Sequence, residues 1–144
     1  MGILPVINLF KRLEAMLDVE HLENEQDLVR LVEERLPTRS LSALRTAGFS
    51  DDEIHALVLP RRTFSHRVAK RERFSLDESD RIVRILRVAA LGESVFGERD
   101  RLWTWLRAPK RRFDGRSPLS LLGTAAGARV VEDLLGGIDE GFAA

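Results

Sequence analysis

Residues 50–70 read SDDEIHALVLPRRTFSHRVAK, and this stretch predicts two short helices separated by a tight turn. Ser50 precedes three successive carboxylates, which is the pattern of a capping box with negative charge in the first helical turn. The pair Leu59-Pro60 interrupts that helix, and a second helical stretch follows the proline directly. Two short helices joined by about three residues, the second polar and cationic, are typical of a helix-turn-helix that places its second helix in the DNA major groove.

The second helix of this pair carries the residue types that contact DNA. Arginine pairs with guanine through two hydrogen bonds, serine and threonine bond to bases or phosphates, and basic residues after the helix neutralise flanking phosphates. Phe64 and Val68 lie four residues apart, so we expect them to face the core together. The candidate DNA-contacting residues are Arg61, Arg62, Thr63, Ser65, His66, Arg67, Lys70, Arg71 and Arg73.

The charge of the chain is unevenly distributed along the sequence. Its 144 residues carry 23 basic and 23 acidic side chains. Residues 1–59 contain 6 basic and 11 acidic residues, residues 60–112 contain 15 and 7, and residues 113–144 contain 2 and 5. A central block of net charge +8 indicates an anionic partner such as nucleic acid, or a solvated face that pairs with the acidic flanks. Charge alone leaves both interpretations open.

The rest of the chain shows helical periodicity without strand-like alternation, which predicts an all-α protein. Residues 8–36 predict one long helix or two shorter ones, and residues 75–90 predict a capped amphipathic helix. Gly92 and Gly97 are expected to bracket the turn before the next helix. The expected organisation is an N-terminal helical arm over residues 1–39, a helix-turn-helix region over 40–92 and a small helical C-terminal domain over 93–144.

The composition argues against several classes of protein. The chain has no cysteine, which excludes disulfides and thiolate metal sites and fits a reducing cytoplasm. Its apolar opening is too short to cross a bilayer and lacks the basic start of a secretory signal, so we expect a cytoplasmic protein without membrane contact. His21, His55 and His66 fall on separate predicted helices, and no phosphate-binding glycine loop is present. We therefore expect no enzymatic activity, metal or cofactor.

The last forty residues combine turn and capping signals without histidine or cysteine, so a docking surface is expected there rather than chemistry. Asp114-Gly115 is a turn dipeptide, Ser117-Pro118 places an N-cap before a proline, and Thr124 is a candidate cap for a final helix. The spacing predicts that this helix buries Val130, Val131, Leu134 and Leu135.

The same segment closely resembles the toxin-binding domain of bacterial Xre/MbcA/ParS-type antitoxins. The matching positions are Trp105, Leu106, Pro109, Phe113, Gly115, Pro118, Leu121, Leu122, Thr124, Gly127, Val131, Leu135, Ile138 and Gly141. Upstream, the helix-turn-helix and the run from Glu78 to Arg81 resemble the Xre-like DNA-binding half of that family, so the resemblance extends from about residue 40 onward. One departure is Lys110, because the family usually has asparagine after the proline of its Trp-Leu-x-x-Pro stretch.

The resemblance implies a partner and a regulatory role. The partner of such antitoxins is a RES-domain toxin, similar to ADP-ribosyltransferases, that consumes NAD. By resemblance, the chain would cover the entrance to the toxin active site with its C-terminal domain, and would bind its own operator as a homodimer to repress transcription. The acidic, small-residue end would enter the toxin cleft, or fray as termini commonly do. The candidate toxin-contacting residues are Arg112, Arg116, Arg129, Ile138, Asp139, Glu140, Gly141, Phe142, Ala143 and Ala144.

The alternative is a stand-alone helix-turn-helix repressor whose C-terminal domain dimerises the protein or senses a ligand. A neighbouring gene that encodes a RES-domain protein would favour the antitoxin, whereas a lone gene would favour the repressor.

Overall fold

The computed structural model describes the backbone of residues 3–139 and the side chains of residues 9–138. Within that range every regular element is helical, which confirms the predicted all-α class. The α-helices of this range are α1 (Ile3–Leu17), α2 (Glu25–Glu34), α3 (Leu41–Ala47), α4 (Asp51–Leu57), α5 (Arg61–Ala69), α6 (Leu76–Phe96), α7 (Arg99–Arg107) and α8 (Ala125–Asp139). Short 3-10 turns lie at Thr38–Ser40, Arg111–Phe113 and Leu119–Leu121. Of the two possibilities for residues 8–36, the structure has two helices.

The helix starts follow the local sequence. Ser50 and Ser75 each form a complete capping box, in which the serine side chain accepts from a backbone N–H and a glutamate three residues later accepts from the serine N–H. Asn24 caps α2 through a 2.9 Å bond from the Asp27 N–H. The Gly127 N–H donates to Thr124 Oγ1 at 3.0 Å, so Thr124 caps α8 as its sequence predicts.

The long helix α6 is the centre of the fold, and α1, α2, α3, α7 and α8 all pack on it. Its inner face buries Ile82, Ile85, Leu86 and Ala89 completely. Each of the isoleucine and leucine side chains contributes about 1.5–3 kcal/mol to folding through removal of apolar surface from water. The N-terminal helix α1 belongs to the same core, since Leu13 is fully buried there.

The turn expected at Gly92 does not exist, because α6 continues through that residue to Phe96. A Cβ atom at Gly92 would lie 2.3 Å from Leu102 Cδ1, so glycine is needed there for the close approach of α7. The helix ends at Gly97, which adopts a left-handed conformation with φ 72°. The predicted turn between Gly92 and Gly97 is therefore wrong, because α6 occupies that stretch and ends only at Gly97.

Helix α7 connects the C-terminal half of the chain to helices α3 and α4 through hydrogen bonds. Trp103 Nε1 donates to the Ala47 carbonyl at 3.0 Å, and its indole lies so close to Gly48 that a Cβ there would be 2.3 Å from Nε1. Arg107 Nε donates to Glu53 Oε2 at 2.9 Å, and a second bond of 2.9 Å joins Arg107 Nη2 to Glu53 Oε1. Among the helices of residues 3–139, none combines the length and the apolar character needed to cross a lipid bilayer.

Candidate nucleic-acid and protein interfaces

Helices α4 and α5 form the predicted helix-turn-helix, with residues 58–60 as the connection. Helix α4 and the turn enter the core through Ile54, Val58 and Leu59. Helix α5 differs, because none of its nine residues is buried. Its aromatic contact is Phe64, whose ring stacks on the buried Phe74 ring at a centroid distance of 6.1 Å. The second helix is thus held at one aromatic residue and leaves most of its surface to solvent.

Ion pairs supply much of the remaining attachment of α5. Arg67 donates to Glu78 through Nε at 2.8 Å and Nη2 at 3.1 Å. Burial raises the pKa of Glu78, but hydrogen bonds from Arg67 and from Ser75 outweigh it, so that the pKa lies below its usual value of 4.5. The hydrogen bond to Glu78 likewise raises the pKa of Arg67. At the other end of α5, Arg61 Nη2 contacts Asp52 Oδ1 at 2.5 Å.

The candidate DNA-contacting residues separate into two groups. Arg67 is half-buried and engaged by Glu78, and Arg61 is exposed but paired with Asp52. Thr63 is half-buried. The side chains that are exposed and form no ion pair within the described residues are Arg62, Ser65, His66, Lys70, Arg71 and Arg73. A ligand that approaches α5 would therefore first contact these exposed side chains without ion pairs.

The expectation that Val68 faces the core with Phe64 is wrong, since Val68 is 49% exposed. The inward position is taken by Arg67, whose guanidinium reaches the buried Glu78. Two apolar residues in a nine-residue helix define its buried face poorly, and the carboxylate on α6 decides the orientation instead.

The C-terminal candidates lie on different parts of the surface. Arg112 lines a shallow concavity of about 310 Å³ with Phe113, Val130, Asp133 and Leu134. Val130 is 46% exposed, in contrast to the buried position that the helical spacing predicts, whereas Val131 and Leu135 are fully buried as expected.

The other two arginines are not part of that concavity. Arg116 Nη2 donates to the Ser120 carbonyl at 2.9 Å, and Arg129 lines a separate groove between α2, α6 and α8. Ile138 is half-buried against the core. The backbone of Asp139 ends α8, and its side chain and residues 140–144 lie outside the described residues.

Comparison with known proteins assigns a role to each half of the chain. Residues 27–87 match the family model of the antitoxin Xre-like helix-turn-helix domain, and residues 91–141 match that of the antitoxin Xre/MbcA/ParS C-terminal toxin-binding domain. The antitoxin Xre of Pseudomonas putida is 32% identical over 131 residues, which cover 91% of this chain and 82% of the relative.

The chain belongs to the Xre antitoxin family.

Two further Xre antitoxins share part of the sequence. The protein of Yersinia enterocolitica is 36% identical over 89 residues, covering 61% of this chain and 60% of the relative. The protein of Photorhabdus laumondii is 35% identical over 82 residues, covering 56% and 55%. The family assignment confirms the predicted resemblance, and it makes the chain an antitoxin with a helix-turn-helix and a toxin-binding domain rather than an enzyme.

Lys110, where the sequence departs from the family pattern, lies at the start of the turn that leads into the concavity lined by Arg112 and Phe113. Its carbonyl accepts from the Phe113 and Gly115 N–H groups, and its own N–H donates to the Arg116 carbonyl. The Lys110 ammonium lies 5.2 Å from the centroid of the Trp105 ring. The backbone of residue 110 thus closes the turn, and the side chain covers a tryptophan of this antitoxin.

Proposed function

We propose that this antitoxin neutralises a RES-domain toxin that consumes NAD, and represses its own operon through the exposed face of α5. The observation that supports operator binding most strongly is that α5 buries none of its nine residues, carries three arginines and has no acidic side chain. Such a helix gains little from the core and presents hydrogen-bond donors and positive charge to a DNA groove. Because the operator is part of the chromosome, this proposal implies that the antitoxin acts in the cytoplasm.

Toxin binding is assigned to the concavity lined by Arg112, Phe113 and Val130, together with Arg116, Arg129 and the end of the chain from Ile138. An exposed valine beside an aromatic ring and a guanidinium suits a protein partner, because apolar contacts with a polar rim are the usual composition of such interfaces. In this proposal the antitoxin covers the entrance of the toxin active site. The terminal residues 139–144 enter that cleft.

We further infer that the antitoxin binds its operator as a homodimer. A helix-turn-helix dimer reads two half-sites about one helical turn apart, so the operator should be an inverted repeat with that spacing. Sedimentation equilibrium of the purified chain should give twice the chain mass of 16.3 kDa. If the chain is a monomer at micromolar concentration and also protects only one half-site of the operator, the proposed homodimer is contradicted.

The decisive experiment is co-production with the product of the adjacent gene. If that gene encodes a RES-domain protein, its expression alone should arrest growth and deplete NAD, and co-expression of this chain should restore both. A copurifying complex with restored NAD would support neutralisation. Absence of any effect on the toxin, with operator binding intact, would favour a stand-alone repressor with a C-terminal dimerisation domain.

Two variants separate the proposed activities. Arg62→Ala should weaken operator binding and leave neutralisation intact, whereas Val130→Asp should weaken toxin binding and leave operator affinity intact. A truncation that ends at Ile138 tests the role of residues 139–144 directly. Undiminished neutralisation by the truncated chain would refute insertion of the terminal residues.

A further inference from the structure

Three arginines from two loops lie around one cleft beside the helix-turn-helix. Arg35 and Arg39 belong to the connection between α2 and α3, and Arg73 to the connection between α5 and α6. Together they line a cleft of about 430 Å³ whose other lining residues include Leu17, Leu36 and Ser40. Glu34 is the carboxylate in the lining. The net charge of the cleft is positive.

Hydrogen bonds join the two loops across 38 positions of sequence. Arg73 Nη1 donates to the Arg35 carbonyl at 2.7 Å, and the Phe74 N–H donates to the Leu36 carbonyl at 2.9 Å. The Leu36 N–H in turn donates to the buried Ser79 Oγ at 2.9 Å. The α2–α3 connection therefore has a fixed position next to the loop that leaves α5, and the 3-10 turn Thr38–Ser40 packs against α5 itself.

The charges of this cleft are not neutralised inside the protein. Within residues 9–138, neither Arg35, Arg39 nor Arg73 forms an ion pair, although Glu34 lines the same cleft. By contrast, Arg61 and Arg67 on α5 are paired with carboxylates. Exposed arginines that are gathered in a concave site and form no ion pair with a carboxylate suit the oxygen atoms of a phosphate.

The backbone at Arg35 adds a second observation. Its φ is 64° and its ψ is 137°, a region that favours glycine and is costly for any residue with a Cβ atom, such as arginine. Unfavourable backbone conformations of non-glycine residues concentrate at functional sites, where the side chain is needed for contact with a ligand. The protein thus keeps a guanidinium at a position where glycine would be more easily accommodated.

We propose that Arg35 and Arg39, with Arg73, bind the phosphate backbone of DNA alongside the α5 contact. This inference rests on the proposed operator binding and extends it to a segment before the helix-turn-helix. The contact is to phosphate rather than to bases, so it adds affinity without sequence preference.

The test compares four chains in DNA binding across a range of salt concentrations. Arg35→Gly combined with Arg39→Ala removes both charges, and glycine suits the positive φ at residue 35, which keeps the fold intact. Arg101→Ala on α7 is the matched control, since Arg101 is exposed and forms no ion pair within the described residues. Arg62→Ala reports on the α5 contact. The probes are the DNA fragment upstream of the chain's own gene and an unrelated fragment of equal length.

The double variant should bind both fragments about 10- to 100-fold more weakly at 0.1 M salt. The plot of log binding constant against log salt concentration should be shallower by about 2, because each lost phosphate contact accounts for about 0.9 of its slope. Arg101→Ala should match the parent. If Arg62→Ala weakens binding but the double variant keeps the parent affinity and slope, the cleft contact is refuted while operator binding stands. If the parent chain binds neither fragment, both proposals fail.

Discussion

Helices α5 and α8 are attached to the rest of the fold by opposite means. Helix α8 buries Ala128, Val131 and Leu135 in the apolar core, whereas α5 buries no residue and depends on a stacked Phe64 and on ion pairs. Apolar burial gives a helix most of its stability, but the buried face is then not available to bind a ligand. The polar attachment of α5 leaves Arg62, Ser65 and His66 exposed to a ligand, and this division suits an antitoxin with a DNA-binding half.

The largest effect is expected from Leu135→Ala, which removes a fully buried side chain of α8. Such truncations cost about 2–5 kcal/mol of the free energy of unfolding, since the lost burial is increased by the cavity left behind. Urea unfolding followed by circular dichroism measures the change. Val130→Ala on the same helix is the control, because Val130 is 46% exposed and should change stability by less than about 0.5 kcal/mol. Equal losses in the two variants would contradict apolar attachment of α8.

Glu78→Gln should give the next effect, at the attachment of α5. The substitution removes the buried carboxylate that receives two hydrogen bonds from Arg67, and loss of such a charged partner costs about 2 kcal/mol. The pKa of Glu78 is lowered in the fold, so its contribution is present above its usual value of 4.5 and is lost as the pH falls through the folded pKa.

Unfolding measured between about pH 7 and pH 3 should therefore show a smaller loss of stability with acid for Glu78→Gln than for the parent. Part of the acid dependence should remain in the variant, because Glu53, paired with Arg107, also has a lowered pKa. Identical pH dependence in the two chains would show that the Arg67–Glu78 pair does not stabilise α5.

The parts of this fold that sequence predicts are those fixed by neighbours in the chain. The capping boxes of Ser50 and Ser75 and the cap of Thr124 use residues three positions apart, so their patterns are visible before folding. The three-residue connection between α4 and α5 follows in the same way from Leu59-Pro60. These local signals were sufficient for the helix-turn-helix and for the start of α8.

The parts that sequence mispredicts depend on distant contacts. Gly92 resembles a turn until the Leu102 side chain is seen to occupy the space of its missing Cβ. The inward placement of Arg67 instead of Val68 follows from Glu78 on another helix. The cationic cleft at Arg35 was absent from the predicted site, because only the hydrogen bonds between two loops bring it next to α5.

Arg62→Ala tests whether the exposed surface of α5 serves DNA binding rather than folding. Arg62 is exposed on α5 and forms no ion pair within the described residues, so its removal should leave the free energy of unfolding within about 0.5 kcal/mol of the parent. Operator affinity should fall about tenfold at 0.1 M salt, with a shallower salt slope. Fluorescence anisotropy with a labelled operator fragment measures both. A large loss of stability with the loss of affinity would mean that α5 needs this surface for folding.

Two glycines of α8 serve different purposes on one helix, and the smallest stabilising effect is expected at Gly136. A Cβ at Gly127 would lie 1.9 Å from the Leu121 carbonyl oxygen, so Gly127→Ala must displace backbone and should destabilise the fold. A Cβ at Gly136 would meet no atom within 4 Å, so Gly136→Ala should raise the free energy of unfolding by about 0.5–1 kcal/mol through helix propensity alone. Urea unfolding of the two variants gives opposite signs if α8 is held by the contacts described above. Stabilisation by both substitutions would contradict the close approach of the Leu121 carbonyl oxygen to Gly127.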